Sequence, residues 1–309
     1  LRRLYTPEGL KLVENINFYL VAGPNDFAVP TRKSISLDAP PMMDGNRPAD
    51  GGNLIIEAED YEDFIRREPR AKPYIKRYMM GREFINNLPR YCLWLVGISP
   101  KRLRSMPLVM ERVKACKEDR LKGASDRRKL ADTPHLFREM LNPKRYIAIP
   151  VVSSERRKHI PMGWLDDTVI PGNALFIIPD ATLYDFGVLT SRVHMAWMKR
   201  AGGRLKSDYR YTKNNVYNTF AWPRPNEEQK RRIEATAQKI LDARANHPES
   251  SFADLYDDTV MPLDLRNAHR ENDATVCEAY GWPENISEEE IVARLFRLYH
   301  ELIEVISLR

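Results

Sequence analysis

The chain has 309 residues, of which 43% are hydrophobic and 30% are charged, proportions typical of a globular protein long enough for two domains. Its longest apolar runs are far shorter than the roughly 20 residues that cross a bilayer, and no secretion signal is visible. Its three cysteines lack CxxC spacing, which argues against a disulfide framework and a zinc site and favours a reduced, cytoplasmic protein.

Charge is distributed unevenly along the sequence. Residues 223–309 hold 11 basic and 18 acidic residues, a net charge of −7, whereas the residues before them carry +13. A basic body followed by an acidic piece indicates a polyanionic partner for the body alone.

The first segment, residues 1–36, begins with leucine rather than methionine, and its opening stretch LRRLYTPEGLKLVE has the pattern of a helix. We therefore expect the chain to be part of a longer protein and interpret this segment as the tail of a preceding domain with a connector. A loop rich in proline and glycine follows, APPMMDGNRPADGGNLII, which also carries Asn46, Arg47 and Asp50. Such a loop can be functional or purely structural.

The middle of the chain alternates strand-like and helix-like patterns. Apolar runs bounded by turn residues predict strands over Asn53–Glu57, Tyr91–Ile98, Tyr146–Ser153 and Val169–Pro179. Helical spacing predicts helices over Glu59–Arg70, Tyr184–Lys199 and the strongly basic Lys101–Leu130.

The character changes near residue 226. Amphipathic patterns predict helices over Asn226–His247, Phe252–Leu255, Asn267–Tyr280 and Ser287–Ser307. The expected fold class is α+β, with a mixed sheet and helices over residues 37–225 and a small all-α C-terminal domain over residues 226–309.

The segment from Gly202 to Pro223, GGRLKSDYRYTKNNVYNTFAWP, interleaves cations with aromatic rings. Arginine and lysine neutralise phosphates, while amides and carboxylates can read base edges, so the mixture suits a nucleic-acid surface. The alternative is an ordinary amphipathic strand with Tyr209, Tyr211 and Val216 inward. A second cluster at the end of a predicted strand offers the hydroxyls and cations of a phosphate clamp: Ser153, Ser154, Arg156 and Arg157.

Motifs that carry catalysis are missing from this sequence. It contains no GxGxxG, GxxxxGK[ST], HExxH or GxSxG. We therefore expect the chain to bind without catalysing by itself, with no catalytic residue, no metal and no cofactor of its own.

Five stretches in fixed order resemble the target-recognition and C-terminal regions of the MmeI-like DNA methyltransferases, which are type IIL (IIG) restriction-modification enzymes and their methylase-only relatives. These stretches are PPMMDGNRPADGGNLII, LPRYCLWLVGIS, PVVSSERRKHIP, GVLTSRVHMAW and GGRLKSDYRYTKNNVYNTFAWP. The resemblance implies a parent protein in which a nuclease, a helical connector and an S-adenosylmethionine-dependent adenine-N6 methyltransferase domain precede this chain.

This chain departs from the family pattern by lacking the cofactor loop and the NPPY-type catalytic motif. Methyl transfer and the S-adenosylmethionine cofactor therefore belong, by resemblance, to the parent protein. The partners that the resemblance implies are double-stranded DNA and the preceding methyltransferase domain of the same polypeptide, with no membrane.

The resemblance also places part of the sequence specificity in the GRL-containing segment. If Leu205–Tyr211 is a single strand, Lys206 and Asp208 project from the same face. Lysine donates to guanine O6 and N7 and aspartate accepts from cytosine N4, so this pair is predicted to read one G·C base pair. The residues assigned to phosphates are Arg204, Arg210, Lys213, Ser153, Ser154, Arg156 and Arg157.

Two other functions remain open at this point. One is RNA or single-strand binding, in which the rings of Tyr209, Tyr211 and Trp222 would form a stacking platform. The other is docking to an acidic protein partner without nucleic-acid affinity.

Overall fold

A computed structural model describes residues 1–6, 9–16 and 27–307, and these fall into two units. The sheet unit comprises Met43–Pro150 and Gly163–Asp180. The helical unit comprises Leu1–Met42, Val151–Met162 and Ala181–Arg309. The segment Val151–Met162 therefore joins the helical unit although both of its sequence neighbours belong to the sheet unit.

Strands are short throughout the described residues. They are β1 (Arg2–Thr6), β2 (Gly9–Val13), β3 (Met43–Asp44), β4 (Ile55–Ile56), β5 (Ile75–Met79), β6 (Tyr91–Leu93), β7 (Arg145–Pro150), β8 (Val152–Ser153), β9 (Gly163–Asp166), β10 (Val169–Pro171), β11 (Leu175–Pro179), β12 (Gly203–Leu205) and β13 (Asp208–Arg210).

The longest helices lie in the last third of the chain. The α-helices are α1 (Tyr61–Arg67), α2 (Gly81–Asn86), α3 (Pro100–Arg104), α4 (Pro107–Lys122), α5 (Ser125–Arg128), α6 (Leu183–Leu189), α7 (Arg192–Ala201), α8 (Glu227–Ala245), α9 (Phe252–Leu255), α10 (Leu263–Ala279) and α11 (Glu288–Ser307). Short 3-10 helices cover Ala58–Asp60 and Pro69–Tyr74, and a π-helix covers Lys213–Tyr217.

The sheet unit contains two four-stranded sheets with the strand orders β10-β5-β6-β4 and β3-β11-β7-β9. The first sheet is mixed, because β10 runs parallel to β5 while the other pairs are antiparallel. Its core includes Leu54, Leu93, Met106, Val109 and Cys116, all without exposed surface, so α4 contributes its apolar stripe to this core.

The helical unit packs α6, α7, α8, α10 and α11 around a separate apolar core. Trp197, Phe186 and Ile233 are fully buried there, and the Trp197 ring centroid lies 4.9 Å from that of Phe296. Helix α6 approaches α8 closely at Gly187, where an added Cβ would meet the Ile233 side chain at 2.6 Å. The same unit holds the β1–β2 hairpin and a three-stranded sheet, β12-β13-β8.

The helix predicted over Lys101–Leu130 is wrong as a single element. It divides into α3, α4 and α5, and Pro107 stands at the first position of α4. Proline has no N–H to continue a preceding helix, but its fixed φ suits a helix start. The helix predicted over Tyr184–Lys199 divides in the same manner, since the Ser191 hydroxyl accepts from the His194 N–H and begins α7.

Three predicted strands are also shorter or divided. Tyr91–Ile98 is buried as expected over much of its length, but only Tyr91–Leu93 pairs as a strand before the chain turns at Gly97. Val169–Pro179 becomes β10 and β11, which belong to different sheets. Tyr146–Ser153 becomes β7 and β8, which belong to different units.

The chain start differs from its predicted helix. The opening residues form the antiparallel β1–β2 hairpin, with Arg2 opposite Val13 and Thr6 opposite Gly9. Gly9 has a φ of +124°, a backbone conformation that a helix does not contain.

The predicted α+β class is confirmed, with mixed sheets and a helical C-terminal region. The residue range of each predicted C-terminal helix is matched by one of α8 to α11, although α10 begins four residues earlier than expected, at Leu263. Among the residues that the structure describes, no helix is both long enough and apolar enough to cross a membrane.

Candidate nucleic-acid interface

A small antiparallel sheet brings the two predicted basic clusters together. In it, β13 pairs with β12 on one side and with β8 on the other. Tyr209 lies opposite Arg204 in β12 and opposite Ser153 in β8. The GRLKSD segment and the SSERR segment are therefore neighbours, although some 50 residues separate them in sequence.

The strand predicted over Leu205–Tyr211 is wrong. The chain reverses at Lys206 and Ser207, and Leu205 pairs with Asp208 across a two-residue hairpin loop. Lys206 has a φ of +56°, the left-handed conformation that such loops require at their first position. The argument that Lys206 and Asp208 share one strand face therefore fails; Lys206 instead occupies the exposed tip and Asp208 is the first residue of the returning strand.

The two hairpin arginines lie on opposite faces of the sheet, because side chains alternate along a strand and cross-strand partners share a face. Arg210 shares its face with Asp208, whereas Arg204 lies on the other face opposite Tyr209. The Arg204 guanidinium stacks 4.0 Å from the Tyr209 ring centroid and donates to the Ser207 carbonyl at 3.0 Å. Both arginines are exposed, so this hairpin presents a cation on each side.

The segment after β8 is folded back beside the hairpin. Ser153 is buried, and its hydroxyl accepts from the Arg157 guanidinium at 3.4 Å. Arg156 is exposed, and its backbone N–H donates to the Ser154 hydroxyl at 3.3 Å.

Asp208 links this segment to the hairpin by a hydrogen bond and by charge. One oxygen of Asp208 accepts from the Glu155 backbone N–H at 3.3 Å. Burial lowers the pKa of the Arg157 guanidinium, and the Asp208 and Asp257 carboxylates oppose that shift. The Asp208 carboxylate therefore favours the charged form of the Arg157 guanidinium.

Lys213 is placed apart from the other phosphate candidates. It begins the π-helix after β13 and lines a cleft with residues 32–34, 36, 37 and 39–42. Arg32 and Lys33 line the same cleft and are not among the phosphate candidates predicted from the sequence. Their signal in the sequence is the basic run Thr31–Lys33, which lies within the predicted connector of residues 1–36.

The aromatic rings of this segment are anchors rather than an exposed platform. Tyr209 and Trp222 are each 8% exposed and Tyr211 is 1% exposed. The Tyr211 hydroxyl lies 2.9 Å from Nε2 of the buried His194 on α7. Because bases need an open ring face to stack on, this burial argues against the single-strand platform.

We expect the His194 anchor to make stability depend on pH. Burial lowers the pKa of His194 to about 3, whereas a histidine in the unfolded chain titrates near 6.5. Below about pH 6.5 the unfolded chain binds a proton at His194, whereas the folded chain does not. The contribution of His194 to the free energy of unfolding is therefore complete above about pH 6.5, and it is lost as the pH falls towards the pKa of His194 in the folded chain. Between about pH 7 and pH 5 this loss is about 2 kcal/mol.

The variant His194→Gln keeps a hydrogen-bonding partner for Tyr211 but cannot titrate. Urea unfolding at the two pH values should show a pH-dependent loss about 2 kcal/mol smaller in this variant than in the unsubstituted chain. Equal pH dependence in both chains would contradict the assignment.

The loop rich in proline and glycine uses its polar side chains internally. Asn46 is fully buried, and it donates to the Leu141 carbonyl and accepts from the Leu141 N–H at 2.8 and 2.7 Å. The Asp50 carboxylate accepts from the Gly52 and Leu54 N–H groups and so closes the turn. Asn46 and Asp50 therefore have structural roles, whereas Arg47 is exposed.

Of the parallel strands β5 and β10, the second does not end in a turn that fits S-adenosylmethionine. Such a site needs open space beside a glycine turn, so that the backbone can approach the ligand. A Cβ added at Gly81, after β5, would meet the Ala174 carbonyl at 3.4 Å, and one added at Gly172, after β10, would clash with the Met80 sulfur. Protein atoms thus fill the space at the turn after β10, whereas the contact at Gly81 is an ordinary van der Waals contact.

Ligating side chains and thiols give no further site in the described ranges. Among residues 1–6, 9–16 and 27–307, no group of three or more His, Cys, Asp and Glu residues is placed to hold a metal ion. Cys92, Cys116 and Cys277 are all buried and unpaired, and burial raises the pKa of each thiol. A raised pKa opposes formation of the reactive thiolate.

Comparisons with known proteins agree over nearly the whole chain. The family models described as MmeI, target recognition domain, and MmeI, C-terminal domain, match residues 22–224 and 225–307. Over 303 residues the chain is 40% identical to DNA methyltransferase A of Bacillus subtilis (strain 168), a match that covers 97% of this chain and 34% of that protein. The chain thus spans about a third of the length of this curated relative.

A solved structure gives the same result. The chain is similar to the type IIL restriction-modification enzyme MmeI in complex with DNA, with a TM-score of 0.91 and 42% sequence identity, over 96% of this chain and 40% of that one. Because the two family models together match residues 22–307, the chain belongs to the MmeI family and comprises its target recognition domain and its C-terminal domain.

Proposed function

We propose that this chain recognises a specific sequence in double-stranded DNA, as the target-recognition portion of a longer restriction-modification methyltransferase. The observation that carries this proposal is the exposed β12–β13 hairpin, which bears the GRLKSD segment and has cations at its tip and on both faces. The major groove of B-DNA is wide enough for a two-stranded ribbon of this kind. Similarity to a structure described as an MmeI–DNA complex supports the same partner.

Lys206 and Asp208 are proposed as the base-reading residues. The reason is that both lie at the end of the hairpin, since they do not share one strand face. A left-handed φ costs a residue with a Cβ on the order of 1 kcal/mol, and glycine would avoid that cost. Backbone strain of this kind concentrates at functional sites, which supports a recognition role for Lys206. Asp208 has a second carboxylate oxygen to accept from cytosine N4, beside the one that accepts from Glu155.

The remaining candidates are proposed to hold phosphates and fix the register of the duplex. Exposed cations of the hairpin and of the segment beside it supply the charge, and side-chain hydroxyls supply further donors. These residues are Arg204, Arg210, Arg156, Arg157, Ser153, Ser154 and Lys213. Ser153 and Arg157 bond to each other, so Ser153 acts mainly by positioning the guanidinium.

The rest of the parent protein is also a matter of proposal. We assign residues 37–225 to the recognition domain, residues 226–309 to the C-terminal domain and residues 1–36 to the connection with a preceding methyltransferase domain. The family models, which meet at residues 224 and 225, support the boundary with the C-terminal domain, and the relative named DNA methyltransferase A supports the preceding methyltransferase domain. S-adenosylmethionine use and adenine methylation would then reside in that preceding domain, in a cytoplasmic protein with free thiols.

Duplex preference is tested by measuring binding of the chain to labelled double-stranded DNA, single-stranded DNA and RNA by fluorescence anisotropy between about 50 and 200 mM salt. We expect the duplex to bind most tightly and the logarithm of its binding constant to fall linearly with log salt, because the protein's cations displace condensed counterions. Tighter binding to single strands would favour the RNA or single-strand function. Binding to no nucleic acid at low salt would favour protein docking.

A further inference from the structure

The Lys213 cleft, defined as the cavity of about 340 Å³ lined by residues 32–34, 36, 37 and 39–42 and by Lys213, Tyr217 and Asn218, is separate from the hairpin sheet. Three cations line it, Arg32, Lys33 and Lys213, and none of the described residues that line it is acidic. Arg32 and Lys33 are exposed and Lys213 is half-buried, so all three lining cations are accessible to solvent. A cavity with this charge selects an anion.

Backbone hydrogen bonds fasten the two walls of the cleft together. The Thr31 N–H donates to the Asn214 carbonyl at 3.1 Å, and the Ile35 N–H donates to the Asn218 carbonyl at 2.8 Å. The Asn218 amide returns a bond to the Thr31 carbonyl at 2.8 Å. Arg32 and Lys33 lie between these two points, so the structure presents them beside Lys213 as a preformed group.

Two neighbouring features suit a phosphodiester. The Ser34 hydroxyl accepts from the Ser36 N–H at 3.1 Å, which leaves its hydrogen for an anion. Pro40 and Pro41 give the cleft an apolar wall for a sugar, and the Tyr217 hydroxyl fixes that wall by donating to the Pro40 carbonyl at 2.5 Å. The π-helix that Lys213 begins is a rare element that occurs frequently at functional sites.

The distance to the hairpin links the cleft to the same ligand. Lys213 follows Arg210 by three residues, so their Cα atoms are at most about 11 Å apart. We propose that the Lys213 cleft binds backbone phosphates of the duplex that the hairpin recognises, with Arg32, Lys33 and Lys213 as the contacting cations. This inference rests on the proposed function, and it adds the connector residues to the DNA-binding surface.

The test compares Arg32→Gln, Lys33→Gln and Lys213→Gln in the full 309-residue chain. For each variant, affinity for a preferred duplex and for a random duplex is measured over a range of salt concentrations. We expect each substitution to reduce the slope of log K against log salt by about 1 and to weaken both duplexes by the same factor. Arg231→Gln removes the same charge from an exposed position on α8 and should leave the slope unchanged.

The outcomes separate this inference from the proposed function. Binding by the unsubstituted chain, with unchanged slopes in all three variants, would overturn the cleft assignment and leave duplex recognition intact. Absence of duplex binding by the unsubstituted chain would overturn both. If inorganic phosphate bound the unsubstituted chain at constant ionic strength and bound the variants more weakly, while the DNA slopes stayed unchanged, the cleft would be a site for a free anion, and the backbone assignment would be wrong.

Discussion

Replacing Arg120 with methionine should lower the free energy of unfolding by about 3–5 kcal/mol, the largest stability effect that we expect from a single substitution in this chain. Arg120 has no exposed surface although it is charged. Its guanidinium directs all five N–H donors at main-chain carbonyls. Those carbonyls belong to Pro48, Ala49, Leu130, Thr133 and Leu136.

The cost arises because methionine fills part of the volume but donates no hydrogen bond. Buried carbonyls left without a donor lose their hydration on folding and gain nothing in return. Both loops that Arg120 joins, residues 46–50 and 130–136, lie in the sheet unit, so the substitution should loosen them together. Lysine would not rescue the contact, since it lacks the planar fork that reaches five acceptors.

Urea unfolding measures this effect, with Lys117→Met as the matched control. Lys117 lies on the same helix, α4, but is exposed, so its substitution should change stability by no more than about 0.5 kcal/mol. A loss of similar small size in Arg120→Met would contradict the structural role assigned to the buried guanidinium.

Exchanging the charges at the hairpin end should change sequence preference at one base pair. The double variant Lys206→Glu and Asp208→Arg puts an acceptor where the chain has a donor and a donor where it has an acceptor. Each matched contact is worth about 1–3 kcal/mol of discrimination, so the favoured base pair should change by roughly tenfold to a hundredfold. The net charge is the same in both chains, so the phosphate contribution to affinity should be preserved.

A second variant separates recognition from folding. Lys206→Gly removes the side chain and suits the positive φ at this position, so it should raise the free energy of unfolding by about 1 kcal/mol. Discrimination at the same base pair should nevertheless fall. If Lys206→Gly retained full sequence preference, Lys206 would have no role in reading bases.

The sequence predicted best what depends on neighbours along the chain. The helix expected over Asn226–His247 is observed as Glu227–Ala245, with Asn226 accepting from the Gln229 N–H as its cap. The Ser287 hydroxyl likewise accepts from the Glu290 N–H at the start of α11. Caps and apolar stripes depend only on residues a few positions apart, so the sequence predicts them without knowledge of the fold.

Features set by distant pairing could not be predicted in this way. Nothing in the apolar run Tyr146–Ser153 indicates that the chain leaves one unit for the other after Pro150. The hairpin loop at Lys206 and Ser207 lacks the Gly, Asn or Asp that usually marks such a turn, so the sequence pattern favours one continuous strand. Pairing of β8 with β13 then brings Ser153 beside Tyr209, a contact that only the folded sheet creates.

The candidate site also combines local features, which the sequence predicts, with contacts between distant segments, which it does not predict. Residue types identified both basic clusters and Lys213, because cations and hydroxyls can be recognised without a fold. Their grouping required the structure, which places Arg204 and Arg210 on opposite faces of the hairpin and joins Lys213 to Arg32 and Lys33 in one cleft.

Sequence-specific duplex binding is tested most directly by selection of the full chain on a randomised duplex library at moderate salt. We predict enrichment of one motif, favoured over random sequence by about 4 kcal/mol or more. We also predict that the Lys206→Glu and Asp208→Arg variant will enrich the same motif with one base pair changed. Uniform weak binding without any enriched motif, identical in the two chains, would contradict recognition by this hairpin.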